Sequence, residues 1–398
     1  MQKITKWSEK LYLPVVLILS FAASYMLANI MVQIPWTDLG MHTERANLFL
    51  DGMLKNSYPG YYLVLGFFSR ICGVPQVHAV AVTMGLFYVA TGLAVYVIAG
   101  FVLGKDASEK TKCLIVLFMN FFGPLYLGGG GYYTGAGSFN AWHNPTNTSV
   151  KFWALCSFFI FVYAYQMKSS DTVQIGKWYL KRTHLYAAVV AMTCCSLIFK
   201  PSFFQIFAPC LAAVYGLDFL MKKRSFKSCL TDALMFLPAI ALIVVQMFVE
   251  IGGDESGGML ISFAKGWSYH TDNIFRAIMA NAIFLIFVCV FCEKNLLENK
   301  MLQFSVLIYI IGVGEGLFLC ESGPRISHGN MLWGNQIGIG IGYLGAVLTF
   351  VRYMHRTKES PTSGQKAVRY TGNILLAAQF FLGVWYVLRC IVMKMEYF

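Results

Sequence analysis

Residues 58–74 read YPGYYLVLGFFSRICGV, and the sidedness of the whole chain depends on whether this stretch crosses a bilayer. Counted as a span, it inverts everything that follows. Left at the interface, it puts residues 1–10, 105–112, 168–182, 222–228, 293–300 and 352–369 on one side, and those segments hold 21 of the 31 Lys and Arg. A local excess of Lys and Arg marks the cytoplasmic side. The sequence therefore predicts a cytoplasmic N-terminus, an external C-terminus, and 58–74 as a re-entrant or interfacial helix. The alternative would place KKRSFK (222–227) and RYMHRTK (352–358) outside.

A bilayer is required in the first place because 57% of the 398 residues are hydrophobic and 13% are charged, against about 25% charged in soluble domains. A helical span takes about 20 mostly apolar residues, since backbone polar groups in hydrocarbon must be satisfied within their own segment. Eleven runs qualify: 11–33, 79–103, 113–131, 147–166, 184–199, 202–220, 230–249, 276–292, 301–319, 331–350 and 371–391. The expected fold is all-α, a polytopic transmembrane bundle with interfacial helices in its first outer loop, 34–78. Residues 1–220 form one module, and 221–398 add further helices to the same membrane domain. The formal charge of +12 sits in short clusters between apolar runs, which argues against a nucleic-acid partner. The eleven cysteines lie almost all in apolar runs without C-x-x-C spacing and read as small core residues. The first run is too long for a signal-peptide core and is read as an anchor.

The first outer loop, residues 34–62, reads IPWTDLGMHTERANLFLDGMLKNSYPGYY. Thr37 or Asp38 suits the N-cap of a helix over about 39–55. Ala46, Leu50, Met53 and Leu54 would face the membrane, with Glu44, Asp51 and Lys55 turned away. Tyr58-Pro59-Gly60 then turns the chain into the second interfacial helix.

The placement of Asp38 just after the first span, with His42 and Glu44 close behind and Tyr58-Pro59 opening another helix, resembles the GT-C superfamily of membrane glycosyltransferases, which use lipid-linked sugars. The resemblance extends as a pattern of spans over about the first 200 residues. It implies a polyprenyl-phosphate-linked sugar donor, a glycan, lipid or protein acceptor, an external active site, and a bacterial plasma-membrane location. The matching position for its first-loop carboxylate, a base or orienting group, is Asp38. Its second acidic motif has no clear counterpart here, which leaves a divalent metal cofactor open. The simpler role for Asp38 is as a helix cap.

Sugar transfer from a phosphate leaving group needs a carboxylate to take the acceptor proton and cations to hold the departing phosphate. For the phosphate, the sequence offers Lys200 before Pro201 at the outer end of a helical hairpin, and Arg325 with His328 in the polar loop ESGPRISHGNMLWG (321–334). Lys200 at a membrane boundary is otherwise snorkelling, and Arg325 otherwise pairs with Glu321. The segment GGGGYYTGAGSFNAWHNPTN (128–147) brings glycines for close backbone approach, and Tyr132, Tyr133 and Trp142 offer flat faces for sugar rings. The same residues are what a flexible loop at the aromatic belt would contain. His42 lies one helical turn after Asp38, so with His143, His270 and His328 it supplies the candidates for a metal, although no H-E-x-x-H is present. Trp267 and His270, beside Lys265, are candidates for an acceptor groove. The competing functions are a lipid-linked glycan flippase or transporter, for which Glu315 inside an apolar run is the one supporting residue, and a glycan polymerase or ligase.

Overall fold

The computed structural model describes residues 2–34, 37–125, 137–168, 171–175, 177–251 and 258–393. Tyr132, Tyr133, the Gly128–Gly131 run, Asp254 and Glu255 lie outside them. Among the described residues, nine helices are long and apolar enough to cross a membrane, and the chain is an integral membrane protein. These are α1 (Gln2–Met31), α4 (Gln76–Leu103), α6 (Pro145–Gln166), α7 (Arg182–Phe199), α8 (Ser202–Leu220), α11 (Ile274–Phe291), α12 (Lys300–Phe318), α13 (Leu332–Arg356) and α14 (Ser363–Met393).

Two of the eleven expected spans take another form. The run at 113–131 gives α5 (Glu109–Phe121), 13 residues or about 20 Å against a hydrocarbon core of about 30 Å. Phe122 leaves the helix in an extended conformation two residues ahead of Pro124, which cannot continue a helical ladder. The released backbone is satisfied by neighbouring helices: Gly123 N–H donates to Gln379 O at 3.0 Å and Leu125 N–H to Ala280 O at 2.9 Å. The run at 230–249 breaks into α9 (Phe226–Leu234) and α10 (Leu237–Ile251), bent by 54°, with Pro238 at the second position of α10. Counted as one span, this pair raises the number to ten.

The connection between α1 and α4 holds α2 (Asp38–Leu50) and α3 (Gly60–Gly66), the latter continued by a π-helical turn, Phe67–Ile71. The second helix is thus 12 residues in all, well short of a crossing. α2 ends at Leu50 rather than Lys55 and packs its Leu39, His42, Thr43 and Ala46 face inward on protein. Met53 is left 70% exposed.

The termini of these helices sort into two ends. At one end, the 37–58 loop, residues 137–144, Lys200 and the start of α13 meet, and Gln246 near the end of α10 donates to Ser57 O and Leu197 O. β3 (Met259–Ile261) pairs antiparallel with β4 (Leu319–Glu321) at this end. At the other end, β1 (Thr172–Ile175) and β2 (Trp178–Lys181) form a hairpin. The connectors at this end also hold a buried ion cluster: the Asp232 side chain, 6% exposed, lies between Arg182 and Arg224. α13 is the central helix, buried without interruption from Leu332 to Val351.

α14 crosses the exit of α5 at Gly383, where a Cβ would overlap the Phe121 carbonyl oxygen and lie 2.7 Å from Gly123 N. Both neighbours are backbone and cannot move aside. Gly383→Ala is expected to destabilise the protein by about 2 kcal/mol, the usual scale for overpacking. Gly216→Ala, on an exposed turn of α8 with nothing within 4 Å of the added methyl, should be neutral or slightly stabilising. Thermal unfolding in detergent separates the two, and equal midpoints would contradict this packing.

Candidate active site

Thr37, not Asp38, caps α2. Its backbone is extended, and its hydroxyl oxygen accepts from Gly40 N–H at 3.3 Å while donating to Met31 O at 2.7 Å. The Asp38 carboxylate is therefore free of capping and sits in the first turn of a helix, where the aligned peptide dipoles favour a negative charge.

Facing it is the start of α6. Asn144 is the N-cap there, and Pro145 occupies the first turn, where its missing N–H costs nothing. The Asn144 side-chain oxygen, Oδ1, accepts from Asn147 N–H at 2.8 Å and from the Thr146 hydroxyl at 3.0 Å. Its amide donates to Asp38 Oδ2 at 2.7 Å. The polar chain continues inward: Ser202 donates to Asn147 Oδ1 at 2.9 Å, and Asn147 Nδ2 donates to Gln336 Oε1 at 3.0 Å. Four elements, α2, α6, α8 and α13, are tied together by this run.

His143 Nε2 lies 3.8 Å from Asp38 Oδ2. His42, one turn along α2, meets the Tyr62 hydroxyl at 3.1 Å through Nδ1. Lys200 is extended, as a residue before proline must be, and its Nζ lies 4.5 Å over the Trp333 ring, a favourable cation–π placement. His143 packs against the same indole at 5.8 Å between ring centres. Of these groups Asp38 is the accessible one, with 31% of its side chain exposed against 1% for His143.

Burial tends to raise the Asp38 pKa, but His143, His42, Lys200 and the Asn144 bond outweigh it, and the carboxyl is held below its usual range. Burial pushes His42 down to about 3 and His143 to about 4, against the opposing pull of Asp38. Burial likewise lowers Lys200 to about 8, against the attraction of Asp38 and Glu321. At neutral pH the cluster holds one carboxylate, one ammonium and two neutral imidazoles.

Arg325 Nη1 stands 3.8 Å from Glu321 Oε1, and its Nε is buried without a hydrogen-bond partner. Glu321 is fixed by Asn330, which donates to Oε2 at 2.7 Å and accepts from Trp333 Nε1 at 3.2 Å. Glu321 is thus linked through Asn330, by two hydrogen bonds, to the Trp333 indole that lies under Lys200. His328 is exposed in that loop, and Glu44 is exposed on the outward side of α2, away from His42. Trp142 is buried with one face on Tyr88, ring centres 4.1 Å apart and nearly parallel. Trp267 is buried in an apolar cluster with Ala277 and Leu332, and His270 packs against Gly329. Among the described residues, no group of three or more His, Cys, Asp or Glu side chains is arranged to hold a metal ion.

Several residues of this end were given no role from sequence. Asn144 carries a readable signal, an N-cap residue before proline opening an apolar run. Asn147, Gln336 and Trp333 carry none, because their roles depend on contacts across the chain. Lys151, 1% exposed, donates to the Tyr88 hydroxyl and Asn140 Oδ1, both at 3.2 Å, and lies over the Tyr88 and Phe139 rings. Asn140 in turn donates to Met119 O and Phe122 O, so Lys151 secures the loop that presents His143 and Asn144. Glu315 Oε2 is buried against Gly334, where a Cβ would overlap it.

Both imidazoles, and Asp38 with them, have folded-state pKa values below their unfolded ones. They contribute stability that is present above the unfolded value, 6.5 for histidine, and lost as pH falls through the folded one. The thermal midpoint should therefore drop between pH 6.5 and about 4. The fall should be shallower in a His42→Gln/His143→Gln double variant, and superimposable profiles would contradict the assignment.

Comparison with known protein families, with curated proteins and with solved structures finds no match to this chain.

Proposed function

We propose that the protein is a membrane glycosyltransferase of GT-C type, moving a sugar from a polyprenyl-phosphate-linked donor to an acceptor hydroxyl with inversion. The observation that carries the reading is the uncapped, partly exposed Asp38 carboxylate directed into a cluster that also holds Lys200. A hydroxyl acceptor has to lose its proton as the new glycosidic bond forms, and an ionised carboxylate within hydrogen-bond reach is suited to take it. The departing phosphate gains negative charge in the same step, and a desolvated ammonium beside it stabilises that charge more than water would.

In this mechanism Asp38 is the base, and Asn144 holds its second oxygen so that the first points to the acceptor. Lys200 meets the phosphate, with Trp333 fixing the direction of the ammonium. Arg325 gives up its long contact with Glu321 and adds its planar fork to the phosphate. His143 and His42, kept neutral by burial, hydrogen-bond without adding competing positive charge. The acceptor is a glycan, lipid or protein, and the site opens on the external face of a bacterial plasma membrane.

Asp38→Asn keeps the shape and removes the basicity, so transfer from a polyprenyl-phosphate sugar should fall about a hundredfold or more, with polyprenyl phosphate still bound. A folded Asp38→Asn protein with parental turnover would remove Asp38 from this role. Lys200 loses its charge as pH rises through about 8. Affinity for polyprenyl phosphate should accordingly weaken above that pH in the parent and hold to higher pH in Lys200→Arg, whose guanidinium does not titrate there. Identical pH profiles for the two proteins would separate Lys200 from the phosphate.

A further inference from the structure

A groove lies away from the Asp38 cluster, toward the opposite end of α6 and α13. It has a volume of about 1060 Å³ and runs between α4, α6 and α7 toward the start of α12 and the end of α13. Asn144 and Trp333 mark the Asp38 end of α6 and α13, while Gln166 and Arg356 mark the groove end. At about 1.5 Å per residue, the 22 residues of α6 separate the two by about 33 Å, the thickness of a hydrocarbon core.

The groove is amphipathic along its length. One wall is a helical stripe on α4, Leu93, Val97 and Phe101, which are 40%, 64% and 52% exposed. Facing it is a second stripe on α6, Phe152, Cys156 and Ile160. From Phe152 to Met167 the floor is about 22 Å long, more than the roughly 15 Å depth of one leaflet. An acyl chain entering from the near leaflet fits within it.

The polar mouth contains Arg352, Arg356 and Lys300 together with Glu293, Glu298 and Asp171. Among the described residues, none of the three cations lies within 4.0 Å of a carboxylate. Arg352 donates to the Val102 carbonyl and Lys300 to Gln303 Oε1 at 2.8 Å, both neutral acceptors. The carboxylates are likewise held by neutral donors: Glu293 by Asn299 at 2.8 Å, Glu298 by Asn295, and Asp171 by Lys168 N–H at 2.8 Å. Three cations and three anions therefore border one opening without a direct ion pair among them, within the described residues. The ligand that complements them carries both signs, with an apolar tail on the same molecule.

We infer that this groove binds a phospholipid of the leaflet opposite the Asp38 cluster, its phosphate on Arg352, Arg356 and Lys300 and its ammonium head toward the carboxylates. The site is distinct from the proposed donor site and does not depend on the transfer reaction.

The test uses delipidated full-length protein in detergent, titrated with phosphatidylethanolamine, phosphatidylglycerol or inorganic phosphate and read by native mass spectrometry and thermal shift. Phosphatidylethanolamine should be retained most strongly. Its affinity should fall at least tenfold in Lys300→Gln/Arg356→Gln, which removes two cations, and in Val97→Trp, which fills the groove from an exposed position. Retention unchanged in both variants would overturn the assignment. So would phosphatidylglycerol binding as well as phosphatidylethanolamine, or inorganic phosphate alone reproducing the shift. If the double variant does not fold, Val97→Trp carries the same two outcomes.

Discussion

The Asn144 side chain joins two different parts of the molecule. Its oxygen closes the first turn of α6, and its amide holds Asp38. An N-cap fixes where a helix begins, so this contact sets the register of α6 and, through it, the inward direction of Asn147 and Lys151. It also fixes α2 against the bundle, because the bonded carboxylate stands in the first turn of that helix. Losing the amide would leave Asp38 to rotate into solvent. Losing the oxygen would expose the Asn147 N–H in a buried environment, where an unpaired donor costs about 1–3 kcal/mol.

What was legible in the sequence follows from what each residue's role depends on. Asp38, His42, His143 and Lys200 were visible because ionisable groups at the ends of apolar runs are rare enough to stand out, and the structure brings these four together. Asn147, Gln336 and Ser202 were not, since a lone amide or hydroxyl in a span is common and only its partner across the bundle gives it meaning. Lys151 was passed over because the run 147–166 was read for apolarity as a whole. At the level of spans, the elements that depart from a plain helix among the described residues are those with proline near a boundary: Pro124 follows the end of α5, and Pro238 stands at the bend of the α9–α10 pair. Hydropathy averages over such positions and does not register either break.

The distribution of buried ionisable groups also bears on the choice between enzyme and transporter. A path through the membrane needs polar groups at intermediate depth. Glu315 had suggested one, yet it stands three residues before the end of α12, and its carboxylate abuts Gly334 next to Trp333. Lys151 is in the second turn of α6, on the same side. Both therefore border the Asp38 end rather than the middle of the bundle. Between that end and the Arg182–Asp232–Arg224 cluster, α13 presents mostly Ile, Gly, Leu and Val. Among the described residues, buried charged groups thus gather toward the two ends of the bundle and leave its middle apolar, which supports the proposed site at one membrane face over a path through the membrane.

The electrostatic balance of the cluster adds a last step to the proposed chemistry. In the free protein Asp38 is held below its usual pKa by three basic groups, which makes it reliably ionised but a weak base. A donor phosphate arriving beside Lys200 brings negative charge into the same buried volume. It raises the Lys200 pKa, securing the ammonium in its charged form, and draws that cation's field away from Asp38. The Asp38 pKa rises with it, so the carboxylate gains basicity only when a leaving group is in place. Proton abstraction from the acceptor is thereby coupled to donor occupancy.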